Sequence, residues 1–136
     1  KKIVASWPNY LGGVNMKIIK KDQRSRVDIS ERPLFVGGKV SREPIFDEGQ
    51  TDAYTFAIVD FAAGAKNKLH THTCDQILFA TKGKGIVATE TEEVIVSEGD
   101  TALIPAGEKH WHGATQDSEF AHITLTIPGS KTESFG

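Results

Sequence analysis

The five histidines of the chain all fall between positions 70 and 122, and four of them form two His-x-His pairs, His70-Thr71-His72 and His110-Trp111-His112. Side chains two apart on a strand share a face, so each pair can present two imidazoles to one interior. After a short turn, Thr73-Cys74-Asp75, Gln76 opens the next expected strand and brings an amide oxygen back beside the first pair. His70, His72, Gln76 and His110 then make a set of three imidazoles and one neutral oxygen. Such a set suits divalent Mn, Fe, Co, Ni, Cu or Zn, with further positions left to water or substrate. Having no carboxylate, it leaves the ion its full formal charge and makes it a stronger Lewis acid. Cys74 lies in the turn and is read as a turn residue rather than a ligand. The fifth histidine sits in 120–127, where alternation puts His122, Thr124 and Thr126 on one face and Ile123, Leu125 and Ile127 on the other.

The elements that carry these residues read as strands. The chain has 136 residues, enough for one domain. It holds 12 Ile, 9 Val and 12 Thr against only 6 Leu, with 13 Gly, a balance that favours strands and tight turns over helices. From residue 34 short apolar runs alternate with turn signals, which predicts strands over 34–40, 53–61, 68–73, 76–81, 85–89, 93–96, 101–104, 110–114 and 120–127. No stretch longer than a dozen residues has helical periodicity, so the fold class is all-β, a sandwich or barrel. Residues 15–33 are polar and charged and end in the break Arg32-Pro33, giving an N-terminal arm or edge strand over 1–33 and one β domain over 34–136. No function is assigned to residues 1–15. A net charge of -2 disfavours nucleic acid and anionic lipid as partners. The N-terminal apolar run is broken at Pro8, too early for a signal peptide or membrane span, and one cysteine allows no internal disulfide, so a cytoplasmic location is expected.

Two segments carry a family resemblance. Gly64-x5-His70-x-His72-x3-Gln76-x6-Gly83 resembles the first motif of the cupin superfamily, and Gly99-x5-Pro105-x-Gly107-x2-His110 resembles the second. The resemblance covers about residues 34 to 128 and implies a double-stranded β-helix, the jelly-roll barrel, with a metal inside. Gln76 and Ala114 stand where the superfamily usually has Glu and Asn. Both are features of the small single-domain cupins related to bacterial hydroxynitrile lyases, which the segments Phe35 to Val40, Gly107 to Ala114 and Ala121 to Thr124 also resemble. That subgroup implies manganese on His70, His72, Gln76 and His110, with Fe, Ni, Zn and Co as alternatives. It places His122 in the pocket, where a neutral imidazole can take a proton from a metal-bound hydroxyl. Ala57 and Val59, with Phe61, would line the pocket together with Thr124 and Thr126. Thr126 departs from the subgroup, which has glutamine at that place. His112 is expected either to contact substrate or to make a structural hydrogen bond at the barrel mouth. Trp111 is expected on the outer face at a subunit contact, in a homodimer. The implied function is a metal-dependent enzyme acting on a small carbonyl or hydroxylated molecule, lyase-like. An iron or manganese dioxygenase and a non-enzymatic ligand- or metal-binding module are the alternatives.

Overall fold

A computed structural model of the protein describes residues 16–46 and 49–136. Residues 1–15 lie outside the described residues. Among the described residues a short 3-10 turn at Lys21–Gln23 precedes twelve strands. These are β1 Val27–Asp28, β2 Phe35–Val36, β3 Val40–Phe46, β4 Thr55–Phe61, β5 Lys66–Asn67, β6 His70–His72, β7 Gln76–Thr89, β8 Glu93–Ser97, β9 Thr101–Ile104, β10 His110–Ala114, β11 Phe120–Thr126 and β12 Thr132–Ser134. The hydrogen-bonded path runs β1-β3-β4-β11-β7-β10-β5-β2, with β8 and β9 also on β7 and β6 joining β10 to β12. The pairings are antiparallel, and the sheet curls into a jelly-roll barrel as the motifs imply. No helix among the described residues is long and apolar enough to cross a membrane.

The strand boundaries differ from the sequence reading most in three places, besides the added short strand Lys66–Asn67. Residues 34–40 are not one strand, because Gly37 and Gly38 turn the chain at φ 88° and 153° between β2 and β3. The expected turn at 82–85 is absent. Instead β7 runs unbroken for 14 residues, since a bulge opposite Ala121 and His122 absorbs the irregularity. Below the bulge the buried positions are Gln76, Leu78 and Ala80. Above it Thr89, Val87 and Gly85 pair with the buried His110, His112 and Ala114. One extra residue thus switches the inward face from even to odd positions, so a single strand serves both sheets. Gly83 makes this possible. Its φ is +72°, and a Cβ there would collide with the Glu119 carbonyl. The third difference is β12, which has no sequence signal and pairs with β6 in the register Thr132 to His72 and Ser134 to His70.

The barrel interior is divided. One part is an apolar core in which Phe61 packs on Phe120 and Phe35, each with ring centres 6.3 Å apart. The other part is histidine. Phe61 forms the border, 5.9 Å from the His112 ring and 5.7 Å from the His122 ring. Gly113 sets the spacing on the histidine side, because it faces Lys66 across the β5–β10 pairing and has no Cβ to hold the strands apart. A methyl there would overlap Lys66 Cβ and the Ala65 carbonyl. Gly113→Ala is therefore expected to lower unfolding stability by about 1–3 kcal/mol, read from the urea midpoint, whereas an unchanged midpoint would mean that β5 moves freely.

Candidate metal centre

The strands bring the predicted ligands together. The ring centres of His70 and His110 lie 4.2 Å apart, those of His70 and His72 4.8 Å, and those of His72 and His110 5.3 Å. Each ring is oriented through Nδ1. His70 Nδ1 is 2.6 Å from the Lys68 carbonyl, His110 Nδ1 is 2.8 Å from the Glu108 carbonyl, and His72 Nδ1 is 2.9 Å from the Thr132 hydroxyl. A carbonyl can only accept, so His70 and His110 carry their proton on Nδ1 and turn an unprotonated Nε2 away from it. This is the arrangement that metal-ligating histidines use to fix tautomer and ring angle. His72 Nε2 is buried and has no hydrogen-bond partner. Gln76 donates its amide N–H to Thr124 Oγ1 at 2.8 Å, which leaves Oε1 3.1 Å from His110 Nε2. Two acceptors then face each other at hydrogen-bond distance, a contact without a proton to share. A cation accepting both lone pairs satisfies it, and so the residues fit a metal.

Burial keeps these imidazoles neutral. Desolvation, reinforced by the neighbouring rings, pushes His70 and His72 down to about 4, and desolvation lowers His110 as well. Neutral imidazole is the ligating form. One nitrogen each of His70, His110 and His112 also lies within 4.8 Å of the other two, so His112 competes with His72 for the role of third ligand. Its hydrogen bonds separate the two. Asn67 Oδ1 accepts the His112 backbone N–H at 2.8 Å, which orients the amide and brings Asn67 Nδ2 to 3.1 Å from His112 Nε2, the nearer ring nitrogen. An amide nitrogen only donates, so His112 Nε2 accepts and its proton sits on Nδ1. That Nδ1–H meets His122 Nε2 at 3.1 Å. Both nitrogens of His112 are engaged, whereas the Nε2 of His72 is not.

The same wiring defines His122. With Nε2 accepting, its proton is on Nδ1, which is buried and makes no hydrogen bond. Desolvation holds it at about 4, with the Ile123 backbone and Asp60 pulling weakly the other way. His112 lies well below its ordinary value, through burial and then the His122 ring. In this arrangement the His122 Nε2 lone pair is engaged by His112 and the proton stays on the buried Nδ1.

A cavity of about 280 Å³ opens onto the group. Val59, Thr124 and Thr126 line it, along with Phe61, His112 and His122. Thr126 also bonds to Thr55 across β11 and β4. Ala57 occupies the same inward register, opposite Thr124, but is wholly buried and not on the lining, because its short methyl is covered by its neighbours. Trp111 is half-buried, with Lys66 Nζ 4.5 Å from its ring centre. Two residues of the site were not anticipated from sequence. Thr132 comes from the unexpected β12. Asn67 had a readable signal, since asparagine is depleted in strands and a buried one calls for a hydrogen-bonding role.

The cupin domain family matches residues 57–126, and the chain belongs to it. The (R)-mandelonitrile lyase of Granulicella tundricola is 34% identical over 89 residues, 65% of this chain and 68% of that one. An uncharacterized protein of Methanocaldococcus jannaschii is 31% identical over 101 residues, 71% of this chain and 76% of that one. Among solved structures, a cupin-like protein from Thermotoga maritima superimposes with a TM-score of 0.72 at 28% identity, covering 89% of this chain and 90% of its own. The cluster of three histidines in this family suits a divalent metal.

Two outcomes are expected. In Asn67→Asp the second carboxylate oxygen can only accept, so long-range 15N NMR should find the proton of His112 moved from Nδ1 to Nε2 and that of His122 moved likewise; identical tautomers in both proteins would contradict the relay. The folded chain holds His70, His72 and His122 near 4 against 6.5 when unfolded, so the unfolded chain binds more protons between those values. The metal-free protein should be most stable above 6.5 and lose stability as the pH falls toward 4, as urea midpoints across that range would measure.

Proposed function

We propose that the chain is a metal-dependent cupin enzyme that cleaves or forms a C–C bond beside the oxygen-bearing carbon of a small hydroxy or carbonyl compound, in the manner of a hydroxynitrile lyase. The observation that carries this reading is the contact between His110 Nε2 and Gln76 Oε1, two acceptors 3.1 Å apart beside the buried and unpartnered Nε2 of His72. His70, His72, His110 and Gln76 would hold the ion, with manganese first and Fe, Ni, Zn or Co as alternatives. Held by neutral ligands, it supplies Lewis acidity that polarises a substrate oxygen. Likeness to the (R)-mandelonitrile lyase supports the reaction class. In cleavage the substrate hydroxyl gives up its proton and the departing carbon takes one. The two transfers balance at His122 when its Nδ1–H is given to the departing carbon and the hydroxyl proton replaces it on the same nitrogen, Nε2 being engaged by the His112 Nδ1–H. His112 and Asn67 fix the ring that does so, Thr124 holds the Gln76 amide, and Val59 and Phe61 keep water from that wall.

The test has two readouts. Purified protein should bind about one equivalent of transition metal, and His70→Ala should bind far less. Cyanide release from mandelonitrile should fall about 10²–10⁴-fold in His122→Ala while the metal is retained. Absence of metal after reconstitution would refute the reading, and oxygen uptake with catechols in place of cyanide release would favour a dioxygenase.

A homodimer belongs to the same proposal. Two cross-strand rows on the outer face are apolar, Phe56–Leu125–Ile77–Leu103 and Ile58–Ile123–Phe79, and Leu103, Phe79 and Ile77 are exposed. A contiguous apolar patch on a sheet face marks a contact surface. One end of it is bordered by charges of both signs, among them Arg26, Lys82, Asp60 and Glu119, so a second copy related by a two-fold axis can match it. Light scattering should find a dimer for the protein and a monomer for Leu103→Glu; the same mass for both would place the contact elsewhere.

A further inference from the structure

Beyond β11 the chain crosses from one sheet of the barrel to the other. β11 pairs with β4 in the first sheet and β12 with β6 in the second, and on the way Ile127, Gly129 and Thr132 line the cavity. This strap is lightly held. Among the described residues none of 127–136 is buried, and β12 pairs with β6 alone. The Thr73 N–H donates to the Lys131 carbonyl at 3.0 Å, the Phe135 N–H to the Leu69 carbonyl at 2.8 Å, and the Lys131 N–H to Thr73 Oγ1 at 2.9 Å. An edge strand with no buried side chain can detach at a free energy well below that of global unfolding.

One link of the strap reaches the metal centre. His70 and His110 are oriented by the Lys68 and Glu108 carbonyls, two residues upstream of each, and those bonds do not involve the strap. The His72 ring is held instead by Thr132 Oγ1, 2.9 Å from Nδ1 and 60 positions along the chain. A hydroxyl accepts as well as donates, so Thr132 suits either tautomer of His72. A cation on Nε2 fixes the proton on Nδ1 and makes Thr132 its acceptor, the support that ligating histidines take from a neighbouring group. Lifting the strap removes that acceptor and frees the ring to turn.

We propose that residues 127–136 form a lid over the cavity and that Thr132 latches it to the metal centre, so that docking of the strap and ligation by His72 strengthen each other. The latch rests on the metal reading of the site and adds a moving element to it. Thr132 is a positioning residue, acting through His72. By linkage, the factor by which the docked strap raises metal affinity equals the factor by which bound metal shifts the strap toward docking. Loss of a group that orients a ligating histidine costs about 10–100-fold in metal affinity, which sets the size of both effects.

Amide hydrogen exchange in the metal-free and zinc-saturated protein reads the opening of the strap, and calorimetry reads zinc affinity. Exchange at Thr73 and Phe135, whose N–H groups bond across the strap, should slow about tenfold or more on zinc binding and then level off as zinc is raised, because the lifted state still binds zinc through the other ligands. Thr132→Val, at an exposed strand position that suits valine, should bind zinc about 10–100-fold more weakly and, once saturated, lose most of the slowing at these two amides. Thr132→Ser, which keeps the hydroxyl, should restore both. Zinc binding with exchange at Thr73 and Phe135 unchanged, or an unaltered zinc affinity in Thr132→Val, would overturn the latch and leave the metal centre standing. A folded protein that binds no zinc would refute the metal reading itself, and the latch with it.

Discussion

Five imidazoles share the interior of one small barrel, and each must remain uncharged there. Solvent cannot stabilise an imidazolium at His110, His112 or His122, all of which are buried. Neutrality in turn makes each ring half donor and half acceptor, so every partner has to be of the right kind. The surrounding strands meet this requirement locally. Backbone carbonyls two residues upstream take the Nδ1 protons of His70 and His110, a hydroxyl from the last strand meets His72, and an asparagine amide determines how His112 and His122 share theirs. Two groups of rings result. One turns the His110 Nε2 lone pair toward Gln76, and the other is closed into the Asn67–His112–His122 relay.

The division follows from backbone features far from the chemistry. The bulge in β7 lets one strand put Gln76 into the barrel at one end and pair with His110 and His112 at the other. The bare backbone of Gly113 lets β5 approach close enough for Asn67 to meet His112. Phe61 seals the border, so that the apolar core and the polar cavity occupy one barrel without mixing. Stability and site geometry therefore depend on the same few contacts.

What the sequence revealed was what is encoded locally. His70, His72 and Gln76 are near neighbours in the chain, the His-x-His spacing matches the strand period, and glycine and proline mark the turns between strands, so the all-β class and the ligand candidates could be read directly. Three things could not. Asn67 meets His112 across 45 positions and Thr132 meets His72 across 60, contacts that depend on strand register rather than spacing. The continuity of β7 through residues 82–85 was hidden because a glycine pair reads alike for a turn and for a bulge. The proton arrangement on His122 was hidden too, since a tautomer is decided by the partner of a partner. Ala57 has the right parity, yet burial there is complete.

The central claim is that His70, His72, His110 and the oxygen of Gln76 converge on one cation, with His112 held out by Asn67. Anomalous diffraction from crystals grown with manganese or zinc measures this directly. The expected result is a single peak within bonding distance, up to about 2.3 Å, of the Nε2 atoms of His70, His72 and His110 and of Gln76 Oε1, with His112 still bound to Asn67. A peak ligated by His112 in place of His72, or no peak and a Gln76 amide turned over to donate to His110, would contradict it.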